Sequence, residues 1–115
     1  MNTWDVVLLR YPFGDGGGGA KVRPALVVSK NEYHNAGQDG LFILMTSNVQ
    51  RQAEYDIVVD VSHPEFGQTG LAKASAIRVD KIMNLGKGLV SRRLGHLGPT
   101  LKSAVKQKLG QLFSI

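Results

Sequence analysis

Residues 98–113, GPTLKSAVKQKLGQLF, carry the clearest periodic pattern in the sequence. Apolar side chains recur there at intervals of four, four and three residues, which places them on one side of an α-helix; they are Leu101, Val105, Leu109 and Leu112. Pro99 suits the first turn of a helix, whereas Gly110 weakens a helix by about 1 kcal/mol relative to alanine. The pattern predicts an amphipathic C-terminal helix that packs its apolar side against the rest of the chain.

The preceding sequence consists of short apolar runs separated by glycine, proline and polar residues, which is typical of strands and turns. The predicted strands cover residues 4–11, 25–29, 41–46, 55–61 and 72–79, and residues 80–85 continue the last strand or start another. Residues 31–40 and 63–70 are predicted as a loop and a turn, and the run GDGGGG at 14–19 as the most flexible stretch. Several short strands followed by one helix predict a mainly β fold, a small closed or nearly closed β-barrel.

The composition indicates one globular domain covering residues 1–115. Of the 115 residues, 43% are hydrophobic and 20% charged, which is enough for one modest core. The absence of cysteine excludes disulfides and thiolate metal sites. No apolar run approaches the roughly 20 residues of a membrane helix, and the N-terminal residues lack the pattern of a signal peptide. We therefore expect a cytoplasmic protein that does not contact a membrane.

Charge is distributed unevenly along the chain, whose net charge is +5. Residues 1–70 contain five basic and eight acidic side chains, whereas residues 71–115 contain nine basic side chains and one acidic, Asp80. A basic segment attracts polyanions such as nucleic acid. The same pattern fits an acidic protein partner or a solvated lysine face, so charge alone leaves these alternatives open.

Polar side chains at predicted strand ends are candidates for chemistry on RNA. RNA is cleaved when its own 2′-hydroxyl attacks the adjacent phosphorus, which requires a base, a proton source and donors for the developing charge. Arg23 opens the second strand and can grip a phosphate with its planar fork. Thr46 and Ser47 end the third strand, where their hydroxyls can contact a phosphate oxygen or the 2′-hydroxyl. A surface arginine and ordinary strand-end turn residues are the alternative interpretations.

A second group of candidates lies on the fifth predicted strand. Arg78 and Asp80 are two residues apart, so their side chains share a face, as an acid–base pair or as a surface ion pair of little energetic value. Lys73 and Ser75 are expected on the same face if the strand is unbroken. The candidate substrate-binding residues are Lys21, Ser47, Lys73 and Ser75.

The histidines and glycines indicate no cofactor site. His34, His63 and His96 lie far apart in predicted loops, without the spacing of a metal site, and each is expected to be a surface or turn residue. The glycine run continues into AKV at residues 20–22, not into the Gly-Lys-Ser/Thr of a phosphate-binding P-loop. A mobile lid or a plain hairpin loop fits it better. We therefore expect neither a metal nor a cofactor.

Five sequence blocks occur in an order that resembles one known family. They are WDVVLLRYPFGDG (4–16), KVRPALVVS (21–29), LMTSN (44–48), GLAKASAIRVDKI (70–82) and LGHLG (94–98), followed by the final helix. Together they resemble the MazF/PemK (Kid) family of toxin–antitoxin modules over nearly the whole chain, least well across residues 31–40. The blocks RPALVVS and SAIRVDKI are fairly specific in this order and spacing.

The resemblance implies a small SH3-like β-barrel of the CcdB/MazF/Kid type, usually a symmetric homodimer. It also implies cleavage of single-stranded RNA without metal, leaving a 2′,3′-cyclic phosphate and a 5′-hydroxyl. Arg23 matches the family's arginine before proline, and Thr46 matches its threonine at the end of the third strand. Arg78 and Asp80 match the Arg-x-Asp pair that serves as acid and base in Kid-like members. Asp80 is the candidate base, and Arg78 is the candidate proton donor or electrostatic stabiliser. Because a guanidinium stays protonated near neutral pH, we favour the electrostatic role for both arginines.

Three functions remain open at this point. Kid-like toxins carry a histidine in the loop after the first strand, where this chain has GDGGGGAK. Besides an endoribonuclease toxin, the sequence fits a gyrase-poisoning toxin of the CcdB type and a non-catalytic RNA-binding barrel. The resemblance further implies an antitoxin whose acidic, partly disordered tail occupies the RNA groove. Base specificity would come from loop shape, chiefly at residues 14–21 and 47–56.

Overall fold

The computed structural model describes residues 1–11 and 21–115, in which six strands, three α-helices and two 3-10 helices (Val49–Arg51 and Lys87–Leu89) form. The strands are β1 (Asp5–Tyr11), β2 (Lys21–Val27), β3 (Asp39–Thr46), β4 (Asp56–Val59), β5 (Ser75–Gly86) and β6 (Val90–His96). The helices are α1 (Asn31–Ala36), α2 (Phe66–Thr69) and α3 (Pro99–Phe113). The glycine run at 14–19, predicted to be flexible, lies outside the described residues.

All six strands join one antiparallel sheet in the order β4-β5-β3-β2-β1-β6. Within residues 1–11 and 21–115, no pairing joins β4 to β6, so the sheet remains open at its two outer strands. The predicted class, mainly β with a C-terminal helix, is confirmed, and the barrel-like class is compatible with this sheet although closure is incomplete.

Alternating side chains of the sheet enter two apolar clusters on its opposite faces, as strand geometry requires. The helix-side cluster is built mainly from buried residues of β1 to β5 and of α3. Its buried members are Val6, Leu26, Ile43, Met45, Val59, Leu71, Ile77, Val79, Leu97, Leu101 and Val105. The opposite cluster contains Val7, Leu9, Ala25, Val27, Phe42, Leu44 and Leu85. The central strands are therefore covered on both faces, which explains their nearly continuous apolar sequences.

A bulge halfway along β5 reverses which side chains of the strand point to each face of the sheet. Ile77 pairs with Met45 and Ile82 with Ile43, so one residue of β3, Leu44, opposes residues 78–81 of β5. An odd number of inserted residues exchanges the two faces of a strand. Accordingly, Ile77 belongs to the helix-side cluster, whereas the odd-numbered residue Leu85, beyond the bulge, belongs to the opposite cluster.

The predicted C-terminal helix is confirmed as α3, and its apolar side packs on the sheet. Leu101 and Val105 are buried in the helix-side cluster, and Leu109 packs against it. The first turn of α3 is capped by the buried carboxylate of Glu65, which accepts hydrogen bonds from the backbone N–H groups of Thr100 and Leu101 at 2.9 Å each. This carboxylate satisfies amides that a helix leaves unpaired at its start. In the described part of the chain, no helix is long and apolar enough to cross a membrane.

The block LGHLG brings β6 against α2 with almost no space between the two backbones. A Cβ built on Gly95 would lie 2.2 Å from the carbonyl oxygen of Gln68 and 2.6 Å from the carbonyl carbon of Thr69. Gly70, at φ +70°, has the reciprocal contact, because its Cβ would lie 2.1 Å from the carbonyl oxygen of Leu94. Glycine at these two positions permits the close approach.

Several predictions between residues 31 and 96 were wrong. Residues 31–40 were predicted as a loop, but they form α1 and the start of β3. His34 was expected at the surface, yet it is fully buried and its Nδ1 lies 2.8 Å from the Ser29 hydroxyl. The turn predicted at 63–70 contains α2, and β6 was not predicted at all.

Strand boundaries also differ from the predictions. The second strand begins at Lys21 and ends at Val27, instead of covering 25–29, and β3 begins at Asp39 instead of at 41. The fourth is shorter, Asp56–Val59 instead of 55–61. Residues 80–85 continue the preceding strand, which was one of the two predicted alternatives; this strand begins at Ser75, not at residue 72, and it pairs with β3 before and after its bulge.

Candidate functional site

A cleft of about 220 Å³ opens at one end of the sheet. Its polar lining comes from Arg23, Ser47, Lys73 and Ser75, all of them candidates from the sequence. Its apolar lining consists of Val22, Pro24, Met45, Leu71 and Ala72. The cleft therefore combines two cationic side chains and two hydroxyls with an apolar wall.

The antiparallel topology explains why these distant residues meet. β2 begins, β3 ends and β5 begins at the same end of the sheet, because β3 is antiparallel to both of its neighbours. Arg23 lies near the start of β2, Ser47 directly follows β3, and Ser75 opens β5. Chemistry-bearing residues from three separate blocks of sequence are thus held by rigid strand ends around one opening.

Arg23 and Thr46 lie on neighbouring strands near the mouth of the cleft. Ala25 pairs with Leu44, and continuing this register by two residues places Arg23 opposite Thr46, on one face of the sheet. Arg23 is exposed, and its side chain makes no hydrogen bond or ion pair with any of the described residues. Thr46 is half-buried, and its Oγ1 accepts a hydrogen bond from the N–H of Asn48 at 3.1 Å, which leaves its own proton available for donation.

Lys73 and Ser75 differ in their exposure and in what they can do. Lys73 is exposed, whereas Ser75 is buried, and the Ser75 hydroxyl donates a hydrogen bond to the Lys73 carbonyl oxygen at 3.1 Å. This bond folds the segment before β5 so that both residues line the cleft. The expectation that Lys73 and Ser75 share a face with Arg78 and Asp80 was wrong, since strand alternation places Ser75 on the face of Ile77, opposite to Arg78.

Arg78 and Asp80 do not line the cleft as the structure describes it. Arg78 pairs with Asp56 of β4, and its Nε is buried without a hydrogen-bond partner among the described residues. Asp80 is exposed within the β5 bulge. The pKa of Arg51 is raised above its ordinary value chiefly by a hydrogen bond to Asp56, and the negative charge of Asp80 adds to this effect. Asp80 therefore lies on the side of the site where the segment after β3 returns into β4.

Lys21, the remaining candidate, is the first residue of β2 and is exposed two positions before Arg23. Lys21 also interacts with its surroundings, so it is not without a partner. Among the described residues, no three histidine, aspartate or glutamate side chains group as ligands of a metal ion. The chemistry that this end of the sheet offers rests on guanidinium, ammonium and hydroxyl groups.

Sequence reasoning did not identify the apolar wall of the cleft or the ion pair beside it. Met45 and Leu71 looked like ordinary core residues, because a run of apolar letters does not show which residue lies at the open end of a cluster. Arg51 and Asp56 are five residues apart and carried no recognisable motif. Only the three-dimensional return of the chain into β4 brings their charges together.

Comparison with known proteins gives a family for the chain. The family model described as "PemK-like, MazF-like toxin of type II toxin-antitoxin system" matches residues 2–113. No curated protein sequence matches the chain.

Solved structures show the same fold at low sequence identity. MazF from Deinococcus radiodurans superposes with a TM-score of 0.77 at 18% identity, covering 100% of this chain and 97% of that one. Mycobacterium tuberculosis toxin MazF-mt6 gives a TM-score of 0.75 at 17% identity, with 96% and 97% covered. An endoribonuclease in complex with its cognate antitoxin, from a mycobacterial species, gives 0.72 at 21% identity, with 100% and 96% covered.

The family match covers nearly the whole chain, and it includes every strand of the sheet and the cleft at its end. The resemblance inferred from the sequence blocks is thereby confirmed. The chain belongs to the PemK-like, MazF-like toxin family of type II toxin–antitoxin systems.

Proposed function

We propose that this toxin is an endoribonuclease that cuts single-stranded RNA by attack of the RNA's own 2′-hydroxyl. The products are a 2′,3′-cyclic phosphate and a 5′-hydroxyl, and no metal ion takes part. The observation that carries the proposal is the placing of Arg23, Lys73 and Ser47 around one cleft. Two cations and a hydroxyl suit a phosphodiester, and the apolar wall beside them suits a nucleobase.

Arg23 takes the central role in this proposal. Its guanidinium is exposed at a rigid strand position and is not engaged by other described side chains, so it can grip the scissile phosphate. Negative charge grows on the phosphoryl oxygens in the transition state, and a preorganised cation stabilises that charge more than it stabilises the ground state. The Thr46 hydroxyl donates a hydrogen bond to an oxygen of the same phosphate.

The proton transfers are assigned to the β5 bulge. Asp80 is the base that accepts the 2′-hydroxyl proton, and Arg78 stabilises the developing charge or donates a proton to the leaving 5′-oxygen. Support for this role is the exposure of Asp80 and the unpartnered Nε of Arg78. Asp80 lies outside the cleft lining. The bound RNA must therefore extend beyond the cleft so that the 2′-hydroxyl at the scissile bond lies within hydrogen-bond distance of the Asp80 carboxylate.

The test is cleavage of a labelled single-stranded RNA in the presence of EDTA, with chemical identification of the new ends. Arg23→Ala is expected to lower the cleavage rate by about 100- to 1000-fold, as for loss of one transition-state donor. Thr46→Val, which keeps the shape but removes the hydroxyl, is expected to lower it as well. Lys30→Ala is the control, because Lys30 is an exposed cation before α1 that neither lines the cleft nor belongs to the basic β6 and α3.

A substrate variant tests the reaction independently of the protein. Replacing the 2′-hydroxyl at the cut site by hydrogen removes the nucleophile, so cleavage there must stop. Continued cutting of the deoxy substrate, or full activity of Arg23→Ala and Thr46→Val together, would refute the proposal. RNA binding without any cleaved product would instead identify a non-catalytic barrel, and inhibition of gyrase supercoiling would identify a CcdB-like poison.

The proposed partner is an antitoxin with an acidic, disordered segment that competes with RNA. Residues 81–115 contain seven basic side chains and no acidic one, so β6 and α3 present positive charge to any polyanion. A homodimer is the assembly that we propose for the active toxin. Inhibition that weakens with rising salt is the expected sign of such a polyanionic competitor.

A further inference from the structure

The cleft continues into a partly exposed area of the sheet, on the same face as α3. Along β1 and β2, Val6 pairs with Leu26, and both are fully buried in the helix-side cluster. The next pair on this face, Leu8 and Pro24, is only half-buried, and Leu8 is not packed against either apolar cluster. The helix-side cluster therefore ends at Val6 and Leu26, and the sheet between them and the cleft is partly open to solvent.

Two rows of paired residues cross the strands of this area, and each row begins with a residue of the cleft. In the first row, Pro24 of β2 pairs with Leu8 of β1, and Leu8 pairs with Arg92 of β6. In the second row, Val22 of β2 pairs with Arg10 of β1. Paired residues of neighbouring strands share a face of the sheet, and Val22 and Pro24 both line the cleft. Each row therefore leads from the cleft to an arginine.

Both arginines are exposed and can contact a ligand. The Arg92 side chain makes no hydrogen bond or ion pair with any of the described residues. Arg10 Nη2 donates to the Gly88 carbonyl oxygen at 3.4 Å, which uses one of the five donors of the guanidinium. Arg93, the next residue of β6, differs from Arg92 because its Nε lies 3.1 Å from the buried carboxylate of Asp5. Arg10 and Arg92 are therefore the cations that this area offers to a partner.

The combination of cations and apolar side chains suits a single strand of RNA. A guanidinium binds phosphate oxygens with its planar fork, and apolar surface between the two cations can pack against ribose and unpaired bases. All five residues of the two rows are either cationic or apolar. Contacts to phosphates add affinity but carry no sequence information, so this area is suited to holding a strand without distinguishing its bases.

The position of the two rows relative to Arg23 separates them from the scissile phosphate. Successive side chains of β2 alternate between the faces of the sheet, so Arg23 points to the face opposite to Val22 and Pro24. Since neighbouring strands lie about 4.8 Å apart, the first row extends about 10 Å from the cleft to β6. A strand that passes through the cleft therefore meets Arg23 and Arg92 with different phosphates.

We propose that these two rows form a backbone strip, which binds the sugar–phosphate backbone of the RNA segment that leaves the cleft. The strip consists of Leu8, Arg10, Val22, Pro24 and Arg92. Arg10 and Arg92 each bind a phosphate outside the scissile bond, and the strip strengthens the binding of a long substrate without changing the chemical step. This inference rests on the proposed function, because a strand reaches the strip only when the cleft holds RNA.

Binding of 2′-fluoro RNA, which lacks the attacking hydroxyl, tests the strip separately from catalysis. Arg10→Gln and Arg92→Gln each remove one charge and keep most of the side-chain stem. Each is expected to weaken binding about 3- to 10-fold and to lower the slope of log affinity against log salt concentration by about 0.7, the value for one phosphate of a single strand. Lys30→Gln is the control, since Lys30 is an exposed cation before α1 and outside the strip, and it should change neither quantity.

Two comparisons separate a phosphate contact from a general effect of charge. Arg92→Lys keeps the charge and loses the planar fork, so its salt slope should stay near the wild-type value. RNA extended by one nucleotide at a time should show the effect of Arg92→Gln only when the strand is long enough to cross from β2 to β6, and on one side of the cut. An effect of equal size at every RNA length would overturn the proposal.

Cleavage kinetics supply a second measurement. Arg92→Gln should raise KM for a long RNA with kcat unchanged, as for loss of a contact made equally in the ground state and the transition state. A lower kcat at unchanged KM would overturn the proposal. So would a double variant, Arg10→Gln with Arg92→Gln, that keeps its RNA affinity and binds polyglutamate less tightly, because the strip would then be a docking surface for an acidic protein.

Failure of the proposed function is distinguishable from failure of this inference. A wild-type protein that binds 2′-fluoro RNA but cuts no RNA refutes the function, while the variants still decide whether the strip binds the strand. A wild-type protein that cuts RNA, with unchanged affinity and KM in the double variant, retains the function and refutes the strip. A wild-type protein that binds no RNA refutes both.

Discussion

Replacing Gly95 with alanine should destabilise the toxin, because β6 and α2 leave no room for a methyl group at this position. The added methyl group would lie 2.2 Å from the Gln68 carbonyl oxygen and 2.6 Å from the Thr69 carbonyl carbon. Ordinary van der Waals contact begins near 3.4 Å, so β6 and α2 must separate by about 1 Å. Both colliding groups are backbone, and no side-chain rotation can relieve them.

The magnitude follows from the cost of overpacking a rigid contact. Inserting a methylene into a packed interior costs about 1–3 kcal/mol, and more where backbones must move. We therefore expect about 3 kcal/mol for Gly95→Ala. For a chain of this size, such a change lowers the Tm by about 12 °C. With a urea m-value of about 1.5 kcal/mol/M, the midpoint should fall by about 2 M.

The assay is equilibrium unfolding in urea, followed by circular dichroism and by fluorescence of the single tryptophan. Gly88→Ala is the control, because a Cβ at Gly88 meets nothing within 4 Å; it should be neutral or stabilise by about 0.4–1 kcal/mol. Unfolding of Gly95→Ala within about 0.5 kcal/mol of the wild type, at an unchanged m-value, would refute the reasoning. Equal destabilisation by both substitutions would do so too, since it would implicate glycine itself and not the collision.

Two further substitutions probe the attachment of α3. Hydrogen bonds from the first amides of α3 outweigh the opposing effect of burial and lower the pKa of Glu65. Its ionised form should therefore stabilise the fold at pH values above its ordinary pKa of 4.5 and lose that effect as pH falls through the lowered pKa. The difference in unfolding free energy between wild type and Glu65→Gln should become smaller in that pH range, and a difference that does not change with pH would contradict the capping role. Val105→Ala removes two methyl groups from a fully buried site and should cost about 2 kcal/mol in urea unfolding, whereas a similar loss for Val61→Ala, at 61% exposure, would contradict a burial-based explanation.

The sequence predicted best those features that arise from local periodicity. The stripe containing Leu101 and Val105 identified α3, because a helix repeats within a few residues and its pattern is complete in one segment. The end of the third strand at Thr46 was located for a similar reason, whereas the second strand begins at Lys21 and not at the predicted residue 25. Strand pairing does not follow from such patterns, since it joins residues far apart in the chain. The predicted site therefore named residues without showing which of them share the cleft.

The missed features depend on tertiary contacts. His34 looked like a loop residue because polar residues and two glycines surround it, but Ser29 supplies a partner for its ring nitrogen inside the fold. β6 was missed because its sequence, VSRRLGH, is polar and lies at an edge of the sheet. Such a composition blunts an edge strand against further pairing, and it hides the strand from an apolar pattern search.

The bulge in β5 changes the phase of the strand between its two halves. Before residues 78–81, odd-numbered side chains face the helix-side cluster; after them, odd-numbered side chains face the opposite cluster. The alternation of side chains between the two faces of the sheet therefore has one phase in the first half of β5, which begins at the cleft, and the opposite phase in the second half. Substitutions that change the lining of the cleft in the first half are thereby separated from the packing of the second half. A mutational scan along β5 should show its two-residue rhythm of tolerance reverse at the bulge.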